Sequence, residues 1–292
     1  MFVITGATGN VGGVAAATLL EAGEPVRVVV RDAAKGAAWK ARGAEVAVAD
    51  LADTAALRVA LDGADGAFLL VPPAYTATDY RADRRQISVS MEEACREVSV
   101  PHVVLLSSVA AHLEAGTGPI ISLHDAELIF RDYPGALTVL RPGSFMDNWQ
   151  AELGQVKQHG LMPSFHTVDH KLPMISTLDI GRIAAESLLK PVAHRRVLEL
   201  AGPEDYSPAD VAETLSAILG KPVSAQPAPL DAVVLTFQSF GFSENAAELM
   251  RELYAGANSD LVAYEGGAAE FRRGTVSLRE GLEHLLKESS AD

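Results

Sequence analysis

The stretch Phe2-Val-Ile-Thr5-Gly6-Ala-Thr8-Gly9-Asn10-Val11-Gly12 decides the reading of this chain. A short apolar run ends in three glycines at relative positions one, four and seven. Residues 11–21 then place small and apolar side chains at helical spacing, and Gly23 follows as a C-terminal cap. Each glycine has its own physical task. Gly6 permits the tight turn, Gly9 lets backbone approach a pyrophosphate, and Gly12 lets the helix pack closely on the strand. The free N–H groups at the helix start then face the phosphates. Strand, turn and helix together predict a dinucleotide site built from Gly6, Thr8, Gly9, Asn10, Val11 and Gly12.

Outward from this turn, apolar runs recur at Val26-Arg-Val-Val-Val30, Glu45-Val-Ala-Val-Ala49, Gly66-Ala-Phe-Leu-Leu-Val71 and His102-Val-Val-Leu-Leu106. Helical stretches at 33–41, 54–61 and 84–98 lie between them. Nearly continuous apolar strands alternating with helices predict a parallel sheet covered on both faces. A helix at 127–131 and a strand at Leu137-Thr-Val-Leu140 continue the pattern, and Arg141-Pro142 marks the exit from the sheet. Helix starts follow at Thr177 and at Ser207-Pro208, the latter with proline just after a serine cap. The expected fold is α/β, a Rossmann-type doubly wound parallel sheet with a smaller C-terminal substrate lobe. Residues 1–140 form the NAD(P)-binding domain; residues 141–292 supply the remaining sheet elements and the lobe covering the substrate site.

The dinucleotide type is read at the end of the second strand. An acidic residue there accepts hydrogen bonds from a ribose 2′-OH, whereas arginine suits a 2′-phosphate. Arg31 stands 19 residues after Gly12, followed by Asp32, with Lys35 one helical turn on. NADP(H) is therefore preferred, and Asp32 keeps NAD(H) in play. Asp50 and Leu51 end the third strand beside the adenine, and Val71 and Pro72 end the fourth beside the nicotinamide ribose, by the rule that ligands sit outside the carboxyl ends of strands.

Composition bounds the rest. With 292 residues, 48% hydrophobic and 21% charged, the chain can bury a full core. Its formal net charge of −14 repels polyanions, so neither nucleic acid nor an anionic membrane is an expected partner. The expected partner is a small-molecule substrate; the oligomeric state is left open. Cys95 is the only cysteine, in a helical run where an inert buried thiol is expected, which fits a reducing cytosol. A first strand beginning at Phe2 leaves no room for a signal peptide, and no apolar run nears the about 18 residues of a membrane span, so a cytoplasmic protein is expected. His166 and His170 flank Asp169 without the helical spacing that would converge both rings, so no metal is expected.

With these residues in hand, the sequence resembles the NmrA-like group of atypical short-chain dehydrogenases/reductases. The likeness rests on the glycine turn, Val30-Arg31-Asp32, Leu69-Leu-Val-Pro-Pro73, Leu105-Leu-Ser-Ser-Val109 and Leu140-Arg-Pro-Gly-Ser-Phe-Met-Asp-Asn148. Leu198-Glu-Leu-Ala-Gly-Pro203 and Asp210-Val-Ala extend it to about residue 220; residues 229–267 match nothing in it. The resemblance implies NAD(P)H binding with either reduction of quinone, azo or carbonyl acceptors, or redox sensing without turnover.

Short-chain reductases usually protonate a carbonyl with a tyrosine paired to a lysine four residues later. None of the six tyrosines has lysine at that spacing, and no lysine occurs between Lys40 and Lys157. What stands near the expected place is Ser107, Ser108 and His124. The serines end the fifth strand, where adjacent residues face opposite ways. His124 is either the proton donor or a residue making a structural bond at a helix start.

Overall fold

The alternating runs build one eight-stranded sheet in the computed structural model, which describes residues 1–267 and 269–289. The first half runs β1 (Phe2–Thr5), α1 (Asn10–Glu21), β2 (Val26–Val30), α2 (Ala37–Ala41), β3 (Glu45–Val48), α3 (Thr54–Leu61), β4 (Gly66–Leu70), α4 (Tyr80–Glu97), β5 (His102–Leu106), α5 (Ile121–Ile129) and β6 (Ala136–Pro142). Next come β7 (Ser144–Phe145), α6 (Leu153–His159), β8 (Leu161–Ser164), β9 (Leu172–Ile175), α7 (Thr177–Leu189) and β10 (Arg195–Ala201). The chain closes with β11 (Asp205–Tyr206), α8 (Pro208–Leu219), β12 (Ser224–Pro227), α9 (Val233–Ser239), α10 (Glu244–Asn258), β13 (Glu270–Arg273) and α11 (Leu278–Glu288).

The sheet order is β13-β10-β6-β5-β4-β1-β2-β3, with every neighbouring pair parallel. The order in which successive strands are added reverses between β1 and β4, which is where a doubly wound sheet opens a crevice at its carboxyl edge. One face packs Leu57, Met91 and Phe130 of the α3–α5 layer on Val3, Leu69, Leu105 and Val139. The other packs α1 and α7 on Ile4, Val28, Phe68, Val104 and Leu140. Small residues bring these two helices close: a Cβ on Gly181 would lie 2.5 Å from Val14 Cβ. A separate core around Met146, Trp149, Met162, Leu215 and Leu282 holds the C-terminal lobe. No helix among the described residues is long and apolar enough to cross a membrane.

Three elements differ from the sequence reading. The helical stretch 33–41 divides into a 3₁₀ turn (Ala33–Gly36) and α2, which meet at Gly36, packed closely against Val46. α4 begins earlier than expected, at Tyr80, where the Asp79 side chain accepts from Ala82 N. α5 spans Ile121–Ile129 rather than 127–131. A 3₁₀ turn containing Pro119 leads into it without a side-chain cap, and Ser122, His124 and Asp125 are weak helix formers that tertiary packing overrides.

Candidate functional site

The glycine turn has the geometry its spacing predicts. Gly6 sits at φ +65°, and Gly9 N donates to Gly6 O at 2.9 Å. A Cβ on Gly12 would lie 2.4 Å from Gly6 O, so the helix rests directly on the turn. No side chain caps α1, and its first turn holds no acidic residue. The amides of Asn10, Val11 and Gly12 thus have no acceptor from within the helix and point at the carboxyl edge. Thr8, Gly9 and Asn10 are exposed there. Asn10 Nδ2 also donates to Asp147 Oδ1 (3.3 Å), and Asp147 in turn accepts from the Thr177 amide and hydroxyl at the start of α7. The segment after β6 is thereby tied to the turn.

At the end of β2, Arg31 and Lys35 are both exposed and have no ion pair or side-chain hydrogen bond among the described residues. Asp32 is engaged: its Oδ1 accepts from Ala34 N at 2.9 Å. Asp50 is exposed beyond β3, with one oxygen accepting from Ala52 N, and half-buried Leu51 packs against the core. Val71 and Pro72 are half-buried beyond β4, where buried Arg84 donates to the Pro72 carbonyl and fixes the loop. These residues line one edge of the sheet in the order β3, β2, β1, β4. A free helix start followed by unpaired cations suits a dinucleotide carrying an extra phosphate.

The ends of β5 and β6 hold the remaining expected residues. Ser107 is buried and donates to Glu127 Oε1 at 2.6 Å. Glu127 is held by Arg141 (2.7 Å) and reached by Arg195 (3.2 Å), while Arg141 also pairs with Glu265. Burial opposes the Arg141 charge, but the hydrogen bonds and charges of Glu127 and Glu265 outweigh it and raise its pKa. Ser108 is half-buried, and its hydroxyl has no protein partner among the described residues. His124 is buried on α5, with Nδ1 2.9 Å from Ala111 O. Donation to that carbonyl leaves Nε2 of a neutral ring as an acceptor. The ring lines a polar cleft of about 440 Å³ with His112, Glu127, Arg131 and Arg141, on the α5 side of the sheet.

The segment that the sequence left unplaced forms a roof over this edge. α10 lies on the loop between β5 and α5, where a Cβ on Gly118 would be 2.2 Å from Leu249 O. Ser243 N and Oγ donate to the Tyr75 and Ala77 carbonyls, and Tyr80 N donates to Asn245 Oδ1. Asn258 Nδ2 donates to Phe165 O. The rings that join this roof to the loops under it are Tyr75 stacked on Phe242 (4.2 Å), Phe237 edge-on to Phe242 (5.0 Å), and Tyr254 against Phe165 (5.3 Å) and His166 (4.8 Å). Burial raises the Tyr75 pKa and, reinforced by Glu152 and Tyr75, that of Tyr254. Burial, with His170 nearby, lowers His166 to about 4 and keeps it neutral. Burial alone raises Glu152. Among the described residues no group of three or more His, Cys, Asp or Glu is placed to hold a metal. The sequence carried no signal for Glu152 or for this roof, because both are defined by contacts distant along the chain.

Residues 1–265 match the sequence model of the NmrA-like family. The NAD(P)H azoreductase of Xenophilus azovorans is 29% identical over 90% of this chain and 89% of that protein. Quinone oxidoreductase 2 of Escherichia coli is 25% identical over 98% of this chain and 99% of its own. The crystal structure of the NADPH-dependent quinone oxidoreductase from Escherichia coli, complexed with NADPH, superposes with a TM-score of 0.80 at 24% identity. That match covers 98% of this chain and all of that one, and shows a shared fold.

Proposed function

This chain belongs to the NmrA-like family, and from that premise we propose that it is an NAD(P)H-dependent oxidoreductase that reduces a small quinone, azo or carbonyl acceptor. One observation carries the reading. The same sheet edge bears an uncapped helix start, two cations unpaired among the described residues and, across the crevice, a roof that carries a cluster of aromatic rings. The first two features suit a dinucleotide, and the third suits a flat conjugated acceptor. The similarity to an NAD(P)H azoreductase and a quinone oxidoreductase supports the same pairing.

NADPH is the preferred cofactor in this reading. Arg31 and Lys35 are free to meet a 2′-phosphate, whereas Asp32 already accepts a backbone amide. Gly6, Thr8, Gly9, Asn10, Val11 and Gly12 hold the pyrophosphate; Asp50, Leu51, Val71 and Pro72 border the adenosine and nicotinamide ends. Of the two serines, Ser108 has the hydroxyl available to orient a substrate oxygen, since Ser107 is committed to Glu127. His124 fastens the loop after β5 through Ala111.

The test mixes purified protein with NADPH and a panel of quinones, azo dyes and ketones while following loss of the reduced cofactor. Turnover of at least one flat acceptor is expected. Arg31→Ala should weaken NADPH binding by roughly 1.5–3 kcal/mol, the range for a charge-assisted bond, and leave NADH nearly unchanged. Dinucleotide binding without turnover of any acceptor would remove the reductase reading in favour of a redox sensor.

A further inference from the structure

The polar cleft that His124 lines lies between α5 and the β10–β13 edge of the sheet, with a volume of about 440 Å³. That is within the about 300–1,000 Å³ of small-molecule sites. α5 joins two parallel strands, so it runs back from the carboxyl edge towards the amino edge. His124 stands on its first turn, Arg131 lies just past its end, and Arg195 opens β10. All three line the cleft, which therefore has a histidine end at the carboxyl edge and an arginine end at the amino edge. The dinucleotide edge lies elsewhere, beyond β1 to β4 on the far side of β5.

The charges of this cleft do not cancel. Four arginines line it against three glutamates, in a chain whose formal charge is −14. Each glutamate is already engaged. Glu127 accepts four hydrogen bonds, one from Ser107, two from Arg141 and one from Arg195, which fills the lone-pair positions of a carboxylate. Glu265 pairs with Arg141, and Glu270 accepts from Arg196 at 2.9 and 2.7 Å. The surplus stands at the arginine end. Arg195, whose side chain is 39% exposed, gives Glu127 one of its five N–H groups, at 3.2 Å. The exposed Arg131 side chain bonds to no described residue. Donors outnumber acceptors there, and a planar fork of N–H groups matches the oxygens of a carboxylate or a phosphate. Between the two ends the walls are apolar: Val197 faces the α5 layer from β10, and Leu128 is 41% exposed.

We propose that this cleft is a second ligand site, which takes an organic anion. Its carboxylate or phosphate head meets Arg131 and Arg195, and its apolar body lies along Leu128 and Val197. The inference is independent of the reductase reading. Within a cleft, low-dielectric walls concentrate the field of an excess charge, so two arginines there attract an anion more strongly than they would on a convex surface. The acidity of the rest of the chain repels a polyanion, which narrows the ligand to a small molecule carrying one such head.

Calorimetric titration with phenyl phosphate and with benzoate, NADPH being present in excess to block the glycine turn, tests the site and identifies its head group. Saturable binding of at least one probe is expected. Arg131→Gln and Arg195→Gln should each weaken it about tenfold or more, the share of one charge-assisted hydrogen bond, with circular dichroism at the wild-type level. Arg31→Ala, at the dinucleotide edge, should leave it unchanged. The bare heads, inorganic phosphate and acetate, should bind at least about tenfold more weakly than the probes, for want of an apolar body. Binding of phenyl phosphate alone assigns the site to phosphate esters, and binding of benzoate alone assigns it to carboxylates. The inference is overturned if neither probe binds saturably, if the bare heads bind as tightly as the probes, or if both arginine variants bind within about threefold of wild type. Each of those results leaves the reductase reading as it stands.

Discussion

A methyl group at Gly9 would meet only Gly6 O, at an ordinary 3.5 Å, and φ −108°, ψ 175° is open to alanine. The fold itself therefore does not demand glycine there; a pyrophosphate lying against the backbone does. Gly12 differs, since its Cβ would lie 2.4 Å from Gly6 O and 2.7 Å from Thr5 O, both backbone atoms that cannot swing away. The two glycines of one motif thus answer to different forces. Gly9→Ala is expected to leave unfolding free energy within about 0.5–1 kcal/mol of wild type, with any gain coming from a stiffer unfolded chain, and to weaken NADPH at least about tenfold. Gly12→Ala is expected to cost about 1–3 kcal/mol or more from overpacking. Urea unfolding and a fluorescence titration with NADPH separate the two outcomes. A Gly9→Ala protein that binds NADPH normally would place the pyrophosphate elsewhere.

Among elements, α5, β6, β10 and the segment leading into β13 are joined by charges. Glu127 and Arg141 are each 5% exposed, and their two parallel hydrogen bonds are supplemented by Ser107, Arg195 and Glu265. A pair this dry is held by geometry, and removing one member leaves a buried charge uncompensated, at a cost of about 3–5 kcal/mol. Half-exposed Glu265 remains on Arg141, so Glu127→Gln should fall near the lower end, about 3 kcal/mol in urea unfolding. A loss under about 1 kcal/mol would mean that the pair is already hydrated in solution. None of this network is legible in the sequence, and the reason is physical. The glycine turn can be read because its glycines, strand and helix are neighbours in the chain. So can α8, whose Ser207 and Asp210 form a capping box three residues apart. The start of α5 has no such mark, being led in by a 3₁₀ turn with no side-chain cap. α10 finds its partners at Gly118, Tyr75 and Phe165, all far away in sequence. Glu152 reads as one more carboxylate until the fold half-buries it and desolvation raises its pKa.

Over the whole molecule, acidity sets two opposing trends. The formal charge of −14 shrinks as carboxylates protonate, which relieves self-repulsion and on its own favours the folded state. Buried histidine acts the other way. His102 is 2% exposed, its Nε2 lies 3.0 Å from Thr138 Oγ1, and burial lowers its pKa from 6.5 to about 4. Between those two values the unfolded chain binds a proton that the folded chain refuses, so stability falls as pH drops from about 6.5 towards 4. The linkage relation makes the His102 share about 2 kcal/mol between pH 7 and pH 5. Carboxylates with lowered pKa, such as Glu265 beside Arg141 and Asp210 beside the Ser207 amide, add stability that is present above their unfolded pKa. That contribution is lost only as pH falls through the carboxylate range, below most of the histidine step. Urea unfolding at pH 7 and pH 5 should therefore show a lower midpoint at pH 5 with an unchanged slope. His102→Gln can still reach Thr138 but does not titrate, and it should remove about 2 kcal/mol of that pH dependence. An equal drop in wild type and His102→Gln would mean that His102 takes up its proton in the folded state, and that relief of charge repulsion is outweighed by other groups.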